Sequence, residues 1–255
     1  MDLGLRGRVA AIAGASSGLG LAIARSLAAE GADVAIGARD RDRLEAARAE
    51  LEAVGDGRVT ATSVDVRDAA AVTRWIDGAA DELGALHIVV PNAGGPPGGR
   101  ATAFDLAAYR DAVELNLLSQ IAITQAALPH LRAGGWGRVL YVASVSVKQP
   151  IPTLALSNTA RAGVAGYARS LVSDLGDAGI TVNVLAPGYH ATDRLAELLG
   201  DDPDAPTAIT GDIPLGTMGD PDDLGAVAAF LVSEHACYIT GAVIAVDGGM
   251  SRSLL

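Results

Sequence analysis

Four polar side chains between residues 144 and 161 could take part in chemistry. Ser144 precedes Lys148 by four positions, and Ser157 precedes Arg161 by the same interval. Side chains four apart share one face of a helix, so Ser157 and Arg161 are expected to be neighbours. A serine hydroxyl is a far weaker acid than a phenol, whereas arginine stays charged and rich in donors. The pair is therefore better suited to binding than to proton transfer.

A glycine-rich run follows the first predicted strand and opens the first predicted helix. Glycines let the backbone turn tightly and approach a pyrophosphate, whose charge then meets the N–H groups at the helix start. The alternative is a structural turn, which the strand-to-helix context makes less favourable. The run predicts a dinucleotide site that comprises Gly14, Ser16, Ser17, Gly18, Leu19 and Gly20.

The elements that must position these residues alternate along the chain. Short β-branched or apolar runs, most of them continuous, predict strands at 8–13, 33–37, 59–64, 86–91, 138–143, 180–186 and 243–246. Longer, charge-studded segments predict helices at 18–30, 41–53, 69–83, 105–132, 157–178 and 222–233. The alternation indicates an α/β fold, a doubly wound Rossmann-type parallel sheet of about seven strands with helices on both faces, in one domain over 1–255.

One irregular stretch, 188–221, is rich in Asp, Pro, Thr and Gly around a short predicted helix at 195–199. It follows the carboxyl end of a strand, where open α/β sheets place their ligands. Long loops in compact domains often cover a site. We interpret 188–221 as a substrate lid, with a plain surface loop as the alternative.

Composition limits the possible partners. The 255 residues carry a net charge of −11, which disfavours nucleic acid as a partner. No apolar run approaches the roughly 20 residues of a spanning helix, so no membrane partner is expected. The N-terminal residues lack the apolar core of a signal peptide, and Cys237 allows no internal disulfide. We therefore expect a cytoplasmic protein with a small-molecule substrate, and the scattered histidines predict no metal.

Several ordered motifs resemble the short-chain dehydrogenase/reductase family, classical type. They are the spacing of Gly14, Gly18 and Gly20, then Asp65-Val66, Asn92-Ala93-Gly94, Pro187-Gly188 with Thr192, Tyr238–Gly241 and Val246–Gly249. The resemblance implies that Asp65 and Val66 contact adenine, although Asp65 could instead cap a helix, a role for which Asp68 is better placed. It also implies that Asn92, Ala93 and Gly94 wall the adenosine ribose. Pro187, Gly188 and Thr192 would then hold the nicotinamide carboxamide.

Arg39 follows Ala38 at the end of the second predicted strand. The NAD-preferring members of the family tend to carry an acid at the position of Ala38. A guanidinium instead binds the oxygens of a 2′-phosphate in a planar fork. These residues predict NADP(H), with NAD(H) less favoured, unless Arg39 is only a solvated charge.

The family's catalytic tyrosine and lysine fall on Ser157 and Arg161, so the chain resembles a divergent subgroup that lacks Tyr-x-x-x-Lys and is often labelled 3-oxoacyl-carrier-protein reductase. The resemblance implies that Ser144 orients the substrate carbonyl, that Asn116 supports a water relay and that Arg161 holds the ribose. Structural alternatives remain: Ser157 as a helix N-cap, Arg161 in an ion pair, Ser144 as a strand-end hydroxyl and Asn116 as a packing amide.

Another group must then deliver the proton. Lys148 is the first candidate because a partly desolvated ammonium can donate near neutral pH. Tyr189 and His190 come next because the Pro-Gly turn should place them beside the nicotinamide, and water is a further alternative.

The sequence thus predicts an NADP(H)-dependent oxidoreductase of ketones or alcohols, on a small-molecule or acyl/polyketide-type carbonyl. A non-redox enzyme of the same fold (dehydratase, isomerase or cyclase) and a non-catalytic nucleotide-binding protein remain as alternatives. We expect a homodimer or homotetramer that associates through helices 105–132 and 157–178.

Overall fold

The computed structural model describes residues 1–200 and 203–254. Seven strands form one parallel sheet in the order β3-β2-β1-β4-β5-β6-β7, which confirms the predicted fold class. The strands are β1 (Val9–Ala13), β2 (Asp33–Ala38), β3 (Val59–Ser63), β4 (Ile88–Val90), β5 (Gly137–Val142), β6 (Ile180–Pro187) and β7 (Val243–Val246). The order reverses between β1 and β4, and such a switch point opens a crevice for a ligand at the carboxyl ends of the strands.

Nine α-helices lie among the described residues. They are α1 (Gly18–Ala29), α2 (Arg41–Val54), α3 (Ala69–Leu83), α4 (Leu106–Val113), α5 (Ser119–Ala133), α6 (Ala155–Leu175), α7 (Asp193–Leu199), α8 (Ala205–Gly211) and α9 (Pro221–Val232). Aspartates cap several of them: Asp40, Asp68 and Asp105 each accept a backbone N–H of the first turn. These caps satisfy donors that a helix start leaves without a partner.

Two apolar layers cover the sheet. One contains Val72, Trp75, Ile123 and Leu171, from α3, α5 and α6, while α1, α2 and α9 supply the other. Strands β1, β4, β5 and β6 are buried along their whole length. Burial on both faces explains why their sequences are continuous apolar runs instead of alternating ones.

Two predicted helices differ from those observed. The segment predicted as one helix over 105–132 is α4 and α5 joined by a π-helical turn at Glu114–Leu118. The helix predicted from 157 begins at Ala155, with Leu154 at its cap position, and ends at Leu175. Ser157 therefore lies inside α6, and its interpretation as an N-cap is wrong.

The predicted lid, 188–221, contains α7, α8 and an isolated parallel bridge between His190 and Gly219, which brings its two ends together. The sequence predicted only the first of these helices, from 195 instead of 193. Asp201 and Asp202 belong to the predicted lid but lie outside the described residues. No helix among the described residues is long and apolar enough to cross a membrane.

Tyr141 in β5 is fully buried, and its hydroxyl lies 2.7 Å from Thr124 Oγ1 in α5. Burial raises the pKa of this phenol, so the hydroxyl stays protonated and can donate. We expect Tyr141→Phe to lower the free energy of unfolding by about 1 kcal/mol, because one buried hydrogen bond is lost. Urea denaturation measures the change, with the half-buried Tyr167→Phe as control. An equal effect of both substitutions would contradict the prediction.

Candidate active site

The glycine-rich loop between β1 and α1 is held in one conformation. Gly14 and Gly18 have backbone φ angles of +60° and +57°, which residues with a side chain rarely adopt. A Cβ on Gly20 would lie 2.2 Å from the carbonyl oxygen of Gly14. Asn92 Nδ2 donates to the carbonyl oxygens of Ala13 and Gly14 at 3.1 and 3.4 Å. The glycine pattern therefore reflects close backbone approach, and Asn92 stabilises the turn.

The start of α1 fits an anionic group. Ser17 occupies its N-cap position, and the Ser17 side chain makes no capping hydrogen bond. The first turn contains no acidic residue. The first N–H groups of a helix point outward with partial positive charge, so this end can receive a phosphate. The loop thus fits the pyrophosphate of a dinucleotide, as the sequence predicted.

A cavity of about 260 Å³ extends from this loop to the segment predicted as a lid. Most predicted site residues line it: Gly14, Ser17, Gly18, Leu19, Gly20, Asn92, Ala93, Gly94, Ser144, Ser157, Arg161, Pro187, Gly188, Tyr189, His190 and Thr192. The sequence named these residues over a span from 14 to 192, and the fold collects them at the carboxyl edge of the sheet. Six predicted residues are not part of the described lining: Ser16, Arg39, Asp65, Val66, Asn116 and Lys148.

The two serines reach the cavity from different elements. Ser144 lies two residues after the end of β5, next to Ala143. Its Oγ accepts a hydrogen bond from the backbone N–H of Ser146 at 3.1 Å. Ser157 lies in the first turn of α6 and is 7% exposed. Both residues form part of the cavity wall, and neither hydroxyl pairs with a carboxylate among the described residues.

Arg161 is buried beneath this wall, only 7% exposed. Its Nη1 donates to the carbonyl oxygens of Val142 and Ala143 at 3.0 and 2.7 Å, and its Nη2 to that of Ala93 at 3.3 Å. Burial, with a smaller contribution from Arg194, lowers the pKa of this guanidinium to about 10. The described residues provide no ion pair for Arg161, whose partners there are these carbonyl groups. Three of the five N–H groups of Arg161 donate to carbonyl oxygens, so two N–H groups remain that could donate to a ligand.

Asn116 lies in the π-helical turn, fully buried behind the cavity. Its Nδ2 donates to the carbonyl oxygen of Gly94 at 2.7 Å, while Oδ1 has no partner among the described residues. A buried amide oxygen without a donor is costly, and a water molecule is the usual remedy. This arrangement is compatible with both interpretations from the sequence, the packing amide and the water relay.

The candidate proton donors lie in different surroundings. His190 is 4% exposed and lines the cavity, with Nδ1 3.3 Å from the carbonyl oxygen of Gly188. Burial is the largest influence on this imidazole and lowers its pKa below 6.5. Tyr189 also lines the cavity, and burial, followed by Asp212, raises the pKa of its phenol. Lys148 ends a 3₁₀ turn over 145–147 and does not reach the described lining.

The residues predicted to contact the adenosine end lie on the surface near β2 and β3. Arg39 is exposed directly after β2, and its carbonyl oxygen accepts the Ser63 hydroxyl at 3.1 Å. Asp65 is also exposed, and its Oδ1 accepts the backbone N–H of Arg67 at 3.0 Å. Because β2 pairs in parallel with β3, both residues share the carboxyl edge with the glycine-rich loop.

The sequence did not predict all of the residues that line the cavity. The lining residues that it missed are Gly95, Pro96, Val142, Ala143, Val145, Ile151, Leu154, Asp193, Arg194, Leu195 and Leu198. Most are apolar and carry no motif. Arg194, the only further cation among them, stands next to the predicted lid helix, and no pattern indicated which way it would point.

Comparison with known proteins identifies the family. Residues 14–251 match a family model described as enoyl-(acyl carrier protein) reductase. The chain is 35% identical to cis-4-hydroxycyclohexanecarboxylate dehydrogenase of Sinomonas cyclohexanicum, over 95% of this chain and 96% of that protein. It is 36% identical to cyclohexanol dehydrogenase of Rhodococcus sp. (strain TK6), over 99% of each. The crystal structure of L-sorbose reductase from Gluconobacter frateurii, complexed with NADPH and L-sorbose, superimposes with a TM-score of 0.93 at 30% identity, covering 100% of both chains.

The chain therefore belongs to the short-chain dehydrogenase/reductase family of oxidoreductases. The predicted family is confirmed on sequence and fold alike. Its placement in a subgroup without the Tyr-x-x-x-Lys pair stays a prediction, as do the roles of the individual site residues.

Replacing Arg161 by the neutral, similarly long methionine tests its structural role. We expect Arg161→Met to lower the free energy of unfolding by at least about 2 kcal/mol, because three buried carbonyl groups lose their donor. Arg169→Met, on an exposed position of the same helix, should change it by less than about 0.5 kcal/mol. Denaturant titration of the three proteins measures both. Equal stability of the parent and Arg161→Met would show that the carbonyl contacts contribute little.

Proposed function

We propose that the chain is an NADP(H)-dependent oxidoreductase that interconverts a small-molecule ketone and alcohol. The observation that carries this proposal is one continuous cavity, which joins the glycine-rich loop to Ser144, Ser157 and His190. A dinucleotide held at the loop would extend along the carboxyl edge of the sheet towards these side chains. The non-redox and non-catalytic alternatives draw support from the serine and arginine at positions 157 and 161, and the oxidoreductase relatives favour the redox function over them.

The chain's own residues fit the cofactor from end to end. Gly14, Gly18 and Gly20 leave room for a phosphate, and Thr192 faces Gly18, with its methyl group 3.5 Å from where a Gly18 Cβ would be. Arg39 is exposed and makes no ion pair among the described residues, so its guanidinium is available for a 2′-phosphate. When bound, the reduced nicotinamide supplies the hydride. The NADPH of L-sorbose reductase supports this choice of nucleotide.

In this function the substrate carbonyl is bound by the hydroxyl groups of Ser144 and Ser157, near the buried cation of Arg161. Ser144 and Ser157 can donate hydrogen bonds to the carbonyl oxygen. The buried Arg161 stabilises negative charge that develops there, since electrostatic interactions are strong where water is excluded. Its remaining N–H groups can also reach ribose hydroxyls. None of the three side chains is an acid of suitable strength, so none supplies the proton.

His190 is the best-placed proton donor. It lines the cavity, whereas Lys148, the first candidate from the sequence, does not. An imidazolium is a stronger acid than a phenol, and because burial lowers the pKa of His190, this acid form is present mainly at pH values below 6.5. Tyr189 is the second candidate because it lines the same cavity, and the raised pKa of its phenol makes it a weaker acid.

The substrate class follows from the size and polarity of the cavity. Ile151, Leu154, Leu195 and Leu198 give one side an apolar lining that suits a compact hydrocarbon ring. The cyclohexanol and hydroxycyclohexanecarboxylate dehydrogenases among its relatives support an alicyclic alcohol or ketone. An acyl or polyketide-type carbonyl, also predicted from the sequence, would have to enter through the same apolar side.

We also propose a homodimer or homotetramer through the faces of α4, α5 and α6. Leu106 and Leu118 are 64% and 44% exposed on this side of the molecule. Exposed large apolar side chains favour association when they cluster. The oligomeric state does not enter the chemistry above.

Replacing Arg39 tests the nucleotide preference. We expect Arg39→Ala to weaken NADPH binding at least about tenfold, because charge-assisted contacts to a phosphate are lost, and to leave NADH binding unchanged. Calorimetric titration of both nucleotides measures this, with the exposed Arg74→Ala as the control. Equal losses for both nucleotides, or no loss for NADPH, would contradict the assignment.

The pH dependence of reduction tests the proton donor. His190 must be protonated to donate, and its pKa lies below 6.5, so the rate of ketone reduction should rise as the pH falls through 6.5 and below. We expect His190→Gln to abolish this rise and to lower the rate about 10²-fold. Cyclohexanone reduction at saturating NADPH provides the measurement. Tyr189→Phe and Lys148→Met should keep the rise, and its loss in either variant would transfer the role to that residue.

A further inference from the structure

The lid contributes a second arginine to the cavity, and the proposed function leaves it without a role. Arg194 is the second residue of α7 and lines the cavity. Its Nη2 donates to the carbonyl oxygen of Pro96 at 2.6 Å, across from the lid to the loop after β4. Its Nη1 lies 3.3 Å from Glu197 Oε2 in an exposed pair, and such pairs contribute little.

One donor of Arg194, Nε–H, has no acceptor among the described residues. Nε is buried and has no hydrogen-bond partner in the described part of the chain. A buried N–H of a charged group is costly to leave unpaired, and native structures rarely do so. The missing acceptor is therefore expected to come from a bound molecule.

The charge of the cavity points in the same direction. Arg161 and Arg194 both line it, and they are close enough that Arg194 contributes, after burial, to the lowered pKa of Arg161. The one acidic residue in the described lining is Asp193, whose side chain is 74% exposed and lies 3.6 Å from Arg43. Two guanidinium groups thus line one cavity, and the one carboxylate paired with either of them among the described residues is that of Glu197, in its exposed pair with Arg194.

We propose that the substrate carries a carboxylate on an apolar body, and that Arg194 is the residue that selects it. Ile151, Leu154, Leu195 and Leu198 would surround the apolar body. A planar guanidinium can offer Nε–H and an Nη–H together to both oxygens of a carboxylate, and Arg161 adds attraction from below the wall. The inference rests on the proposed function only in taking this ligand to be the substrate.

Two ligands of equal size and different charge test the proposal. Cyclohexanecarboxylate and its neutral carboxamide are titrated calorimetrically into the NADPH-loaded protein. The carboxylate should bind at least about tenfold more tightly, because truncation or neutralisation of a partly buried charge pair typically costs this much or more. Arg194→Met should remove the preference, Arg194→Lys should retain part of it, and the surface variant Arg74→Met should leave it unchanged.

Several outcomes would overturn the proposal. They are equal or tighter binding of the carboxamide, no binding of the carboxylate, and a preference that survives in Arg194→Met. Thermal unfolding of each variant shows whether the protein stays folded without the hydrogen bond from Arg194 to Pro96. If Arg194→Met misfolds, Arg194→Lys still tests the proposal. Titration of NADPH by itself examines the proposed function separately, and repeating the ligand titrations without nucleotide measures the preference even if NADPH does not bind.

Discussion

The buried guanidinium of Arg161 is the contact on which the site depends. It lies on α6 and donates to the carbonyl oxygens of Val142, the last residue of β5, of Ala143, the next residue, and of Ala93, in the loop after β4. One side chain therefore connects a helix to the ends of two neighbouring strands. Ser157, one turn earlier on α6, and Ser144, next to Ala143, take their positions from this connection. A cation whose partners are carbonyl dipoles also leaves its charge unneutralised at the cavity wall.

In the proposed function this charge stabilises an oxygen atom of the substrate and does not supply the proton. A tyrosine and lysine pair supplies a proton and a ribose contact from one helix face, whereas a serine and a buried arginine can only hold and stabilise an oxygen atom. In the proposed function the proton comes from the opposite side, where the lid brings His190 into the cavity. The lid then has two tasks, proton delivery by His190 and charge selection by Arg194. The division of tasks follows from the acidity of the groups that each wall provides.

Local pattern allowed much of the fold to be predicted, and it failed where packing decides. Apolar runs located β1, β4, β5 and β6, because burial on both faces leaves few polar positions, and β-branched residues located the partly buried β3 and β7. The helix predicted over 105–132 is interrupted at Glu114–Leu118, where a π turn keeps helical periodicity and so leaves no mark in the sequence. The start of α6 was misplaced because Ser157 is a good capping residue by type, yet Leu154 takes the cap position.

The sequence by itself determined the fold class, the glycine-rich loop and most of the residues that line the cavity, because these depend on backbone sterics and on the order of strands and helices. Only the tertiary structure decided what those residues contact. Arg161 reaches carbonyls up to 68 positions away, Arg194 reaches Pro96 across 98 positions, and Lys148 stays outside the cavity. Side-chain direction and burial arise from the packing of elements that are distant in the chain, and residue type and spacing do not encode that packing locally.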